Sequence, residues 1–111
     1  MDAAAGRYAA ATASASEGLG LASETGQESS VCRNLSTLAL LAAMQGHEDA
    51  CRSSAAEALE RAVPRGLLLQ AASATWALAL LDLAFGRPAE ALARLETLTA
   101  DEKSLVFSYD S

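Results

Sequence analysis

Large aromatic side chains are scarce in this 111-residue chain: one tryptophan, two tyrosines and two phenylalanines make up 5% of it. Half of the residues are apolar, but alanine and leucine dominate, a composition that favours helix and leaves no basis for a β architecture. Basic residues are also few. Eight lysines and arginines stand against 14 acids, a net charge of −6. Nucleic-acid binding depends on clustered cations that neutralise phosphates, so direct contact of this segment with nucleic acid is not expected. Two cysteines, Cys32 and Cys51, make no disulfide framework. Both fall within helical pattern, where a small buried thiol is the ordinary role, and a reducing, cytoplasmic setting fits them. The first residues, MDAAAGRYAA, lack a basic stretch followed by an apolar one, so no secretory signal is read there.

Chemistry-bearing groups are equally sparse. His47 is the only histidine, in GHED. A dedicated metal site wants more ligands than His47, Glu48 and Asp49 offer, and those acids suit the positive end of the helix that follows. No nucleophile–base pair emerges, so no catalytic residue, metal site or cofactor is assigned and the chain is read as a non-enzyme. Carboxylate pairs such as Glu57 with Glu60, or Asp101 with Glu102, are read as solvated faces. The stretch from Leu67 to Phe85 has the length of a membrane span, but Gln70, Ser73, Thr75 and Asp82 interrupt it. It reads as a helix packed on several sides. Asp82 within it is open to two readings, a ligand-binding acid or an interhelical bond or pairing with Arg87.

Spacing supplies the organisation. Gly6, Gly46 and Gly86 recur at intervals of forty, each followed five residues later by a small side chain, Ala11, Cys51 or Ala91. Leu38 and Leu78, Ala39 and Ala79, and Leu41 and Leu81 match ahead of the second and third glycines. A forty-residue period with two helices per unit predicts an all-α, helical-repeat solenoid of antiparallel hairpins, one domain over residues 1–111. Helices are expected over Ala3 to Thr25, Gln27 to Gln45, Glu48 to Val63, Leu67 to Phe85 and Pro88 to Leu98. Gly26, Gly46, Pro64 with Gly66, and the Gly86-Arg87-Pro88 corner terminate the first four. Gly18 and Gly20 weaken the first helix, and LVFSY after Asp101 is a candidate start of the next repeat.

The runs SEGLGLASETGQ, LALLAAMQGHEDACRSSAAEALERA and TWALALLDLAFGRPAEALARLE, reaching to about residue 100, resemble the tetratricopeptide-like superhelical region of LuxR/MalT-type ATP-dependent bacterial transcriptional regulators. The most specific part is the pattern W-A-L-x-L-L-x-L-x-x-G-R-P-x-E-A-L from Trp76 to Leu92. The resemblance implies a right-handed α-α superhelix, a fragment of a longer regulator, that senses an inducer or binds a partner protein and couples it to transcription. The chain departs from that family in carrying no GxxxxGK[ST] phosphate loop and no basic helix-turn-helix, so ATPase and DNA-binding roles fall on no residue here. It departs from the standard tetratricopeptide unit in its period and in having Leu35 and Thr75 where a large aromatic is expected. The alternative is a free-standing tetratricopeptide-like adaptor that binds a peptide or protein.

In such folds the first helix of each pair lines the concave side. That face holds Arg33, Ser36, Leu40 and Ala43 on the second helix and Ser73, Trp76, Leu80 and Leu83 on the fourth; all but Ala43 are taken as candidate ligand- or partner-binding residues. Ser36 and Trp76 are equivalent, each ten residues before its glycine. Trp76 is either a binding anchor or a residue buried between repeats. With Gly6 read as a corner, the first helix lacks its preceding partner and neither end carries a polar cap. The expectation is a homodimer, or packing on missing parts of the parent chain.

Overall fold

The structure, a computed structural model, describes residues 3–98, with side chains from residue 6 onward. The expectations placed on LVFSY and on Asp101 with Glu102 lie outside the described residues. The described part is helical, and the helices are α1 (Ala3–Thr25), α2 (Glu28–Met44), α3 (Glu48–Ala62), α4 (Leu68–Ala84) and α5 (88–98). None is long and apolar enough to cross a membrane. Between Thr25 and the start of α5, the helix ends match the expected ones to within one residue.

One corner geometry joins them four times. Gly26, Gly46, Gly66 and Gly86 have φ between 68° and 74°, a left-handed conformation that costs a residue with a Cβ about 1–2 kcal/mol. The residue after each glycine donates its N–H to the carbonyl five positions back: Gln27 to Ala22, His47 to Ala42, Leu67 to Ala62 and Arg87 to Asp82, at 2.7–3.0 Å. This is the helix-ending motif in which a left-handed residue lets the chain satisfy carbonyls the helix has left free. The corners recur every twenty residues, so successive helices begin at 28, 48, 68 and 88. Gly6 is not one of them. It lies inside α1 without the positive φ of a corner, and Ala11, which was to be its small contact residue, is exposed while Cys51 and Ala91 are buried. The forty-residue match to Gly6 is a coincidence of composition, and the corner equivalent to Gly66 is Gly26.

Ion pairs fix the directions of neighbouring helices. Arg61 and Arg65, at the end of α3 and just beyond it, sit 3.0 and 3.8 Å from Glu28 in the first turn of α2. Arg87, after α4, reaches Glu48 in the first turn of α3 at 3.2 Å. In both pairs one helix's end meets the other's beginning, so the hairpins are antiparallel, and the acids face the positive helix ends that they stabilise. Gln70 near the start of α4 donates to Ser29 near the start of α2 at 3.0 Å, which sets those two helices side by side in the same direction. α2 packs against α1, α3 and α4, and α3 also packs against α4.

The core between them is built from small groups. Ala39, Ala55, Ala58, Ala74 and Ala77 are fully buried with Cys32 and Cys51, while Leu81, Val31 and Leu35 supply most of the bulk. Small side chains let helix backbones approach closely. Gly18 does the same for α1, since a Cβ there would come within 2.9 Å of Asn34 Oδ1 on α2. Ala43, expected on the concave face, is buried in this core instead. Both cysteines are free, and burial pushes both thiols above the ordinary range, which holds them protonated and poorly nucleophilic.

Candidate binding groove

Where α2 and α4 run side by side, their outer turns leave an open cavity of about 550 Å³, a size in the range of small-molecule sites. Arg33, Ser36, Thr37 and Leu40 of α2 form one wall. Leu69, Gln70, Ala72, Ser73 and Trp76 of α4 form the other, and Leu98 of α5 closes one side. The three- and four-residue steps within each helix bring these positions onto one face.

Five of the seven candidate binding residues line this groove: Arg33, Ser36, Leu40, Ser73 and Trp76. They play unequal parts. Trp76 is 47% exposed and Leu69 is 81% exposed, so the indole is neither free in solvent nor buried between helices. Ser36 is buried, and its Oγ donates to the Gln70 carbonyl at 3.1 Å, bonding α2 to α4 at the floor. Leu80 is half-buried against the core, and Leu83 is exposed; neither lines the groove. Thr37, Leu69, Gln70, Ala72 and Leu98 were missed. Leu69 lies seven residues ahead of Trp76 on the same helical face, a spacing that the sequence does display.

The groove's polar side chains mostly serve the fold. Thr37 Oγ1 donates to the Arg33 carbonyl at 3.0 Å and Ser73 Oγ to the Leu69 carbonyl at 2.9 Å. Gln70 is held by Ser29. Arg33 is the groove's one cation: its guanidinium makes no ion pair among the described residues, as is also true of Arg7 on α1, whereas Arg52, Arg61, Arg65, Arg87 and Arg94 all do. No acidic side chain lines the groove among the described residues.

Asp82 lies away from the groove and serves structure. It is 2% exposed, bound by Arg94 Nε at 2.7 Å and with Arg87 Nε at 3.5 Å. The Arg87 contact is an ion pair rather than a hydrogen bond, since Arg87 Nε lacks a hydrogen-bond acceptor. Arg87 continues to Glu48, which also accepts from Arg52 at 3.0 Å. Those two arginines hold the Glu48 carboxyl below the usual carboxylate range. The chain of charges ties α3, the last corner and α5 together. His47 is exposed at the residue before α3, and no group of three or more metal-ligating side chains exists among the described residues.

Comparison with family models, with curated proteins and with solved structures gives no match.

Proposed function

We propose that this chain is a tetratricopeptide-like helical-repeat segment that binds an inducer or partner protein in the α2–α4 groove, as the non-catalytic sensor or scaffold part of a LuxR/MalT-type transcriptional regulator. The observation that carries the binding role is the chain's single tryptophan, half-exposed on the wall of a groove between two helices forty residues apart. Large aromatics with one open face concentrate binding energy. Support for the repeat comes from four equal corners at twenty-residue steps. The regulator assignment rests on the sequence pattern from Trp76 to Leu92. The buried free thiols favour a reducing, cytoplasmic compartment. Leu21 on α1 and Leu92 on α5 are both exposed, and a second copy in a homodimer would cover such residues.

Two experiments test this. The regulator reading expects the same reading frame to run into a GxxxxGK[ST] phosphate loop upstream and a basic helix-turn-helix downstream. A frame holding neither would favour the free-standing adaptor. Saturable change in Trp76 emission on addition of effector or partner, abolished by Leu69→Asp with the melting temperature unchanged, would support the groove as the binding site. Binding that leaves Trp76 emission and groove variants unaffected would move the site elsewhere.

A further inference from the structure

The groove's chemistry is lopsided in a way that narrows its ligand. Its exposed walls are hydrocarbon and indole, chiefly Leu40, Leu69, Trp76 and Leu98, and its one charged side chain is Arg33. In a chain of net charge −6, where five other arginines are neutralised by carboxylates, Arg33 has no partner among the described residues. A guanidinium offers a planar fork of donors that matches a carboxylate in two parallel hydrogen bonds. We infer that the groove takes a small apolar carboxylate, its acid group met by Arg33 and its hydrocarbon or aromatic body laid along Trp76 and Leu69. This inference rests on the reading of the groove as the ligand site.

The hydrogen-bonding inventory favours such a molecule over an extended peptide. A peptide laid in the groove would bring an N–H and a C=O at each residue, and each needs a partner once water is displaced. Ser36, Thr37 and Ser73 each give their hydroxyl proton to a helix carbonyl, and Gln70 donates to Ser29. The hydrogen-bond donors left for a ligand's oxygens are then the Arg33 fork and the second hydrogen of the Gln70 amide, too few for the repeated carbonyls of a peptide. That donor set suits a ligand with one anionic group on an otherwise apolar body.

The test compares three probes with the same ten-carbon chain on the full chain, below their aggregation concentrations: decanoate, decanol and decyltrimethylammonium. Trp76 emission and calorimetry give the affinities. The inference expects decanoate to bind saturably with a blue shift, at least tenfold tighter than decanol, and the cation to bind weakest. Arg33→Gln should bring decanoate down to the level of decanol and leave decanol unchanged, while Arg33→Lys should keep part of the preference. Thermal melts of both variants, expected to equal that of the parent, separate recognition from folding. Equal binding of decanoate and decanol, or an unchanged decanoate affinity in Arg33→Gln, would overturn the carboxylate assignment and leave an apolar groove. No response to any of the three would remove both the assignment and the groove as a small-ligand site.

Discussion

Gly46 and Gly86 close their corners at φ of 74° and 71°, with open space where a Cβ would stand. Substitution there is therefore limited by backbone strain and not by collision. A β-branched residue resists this region most, so Gly46→Val and Gly86→Val should each lose about 2 kcal/mol or more, read in urea denaturation against Ala56→Val on the exposed side of α3. Losses no larger than that of the control would contradict the corner geometry. Asp82 carries a different lesson. At the equivalent place before the other three glycines stand the buried Ala22, Ala42 and Ala62, so the fold accepts a small apolar group there. Asp82→Ala should cost about 1–2 kcal/mol, because it frees two arginines that are one-third exposed and can return to water. Asp82→Asn should cost more despite its closer shape, since it leaves a buried amide against two guanidinium groups. A denaturation series in which Asn is the milder change would sink this account of the site.

Helix boundaries were legible because each rests on local chemistry: a glycine that turns left-handed, an acid in the first turn, a proline at the start of α5. What misled the reading was the choice of glycines. Gly6 and Gly86 lie eighty residues apart and share only a residue type, whereas each of the four corners also has a buried residue four positions before its glycine. Gly26 meets that condition through Ala22. Gly20 lies within α1, exposed, with nothing near its Cα that an added methyl would meet. Gly20→Ala should therefore stabilise the chain by about 1 kcal/mol, and an unchanged or lowered denaturation midpoint would mean α1 is not helical there. The charged links between helices were invisible in the sequence, because pairs such as Glu48 with Arg87 join residues that only the fold brings together. Glu48 is held in its charged form by Arg52 and Arg87, so its folded carboxyl titrates below its unfolded value. The stability it adds is complete above the ordinary glutamate range and is lost as pH falls through the lowered folded value. Glu48→Gln should flatten the acid limb of a stability–pH profile and change little at neutral pH in relative slope. A variant whose acid limb matches the parent's would remove Glu48 from the ion-pair network.

At the scale of the whole molecule, close-packed alanine helices leave their larger apolar side chains for the outside, and the α2–α4 groove is where several of them converge. Its position was legible because Arg33, Ser36, Leu40, Ser73 and Trp76 repeat at helical steps on two equivalent helices. The part of Leu98 was not, since nothing local says how α5 returns across α4. The inward turn of Ser36 was hidden too, because a serine reads alike whether its hydroxyl meets water or the Gln70 carbonyl. The sole tryptophan makes the groove directly observable. In the free protein Trp76 should emit with a red-shifted maximum and be quenched readily by acrylamide, and Trp76→Ala should cost less than about 1.5 kcal/mol while keeping the helical circular dichroism. A blue-shifted, acrylamide-protected indole whose removal costs the roughly 3–5 kcal/mol of a core aromatic would show that the groove is filled and that Trp76 is packing.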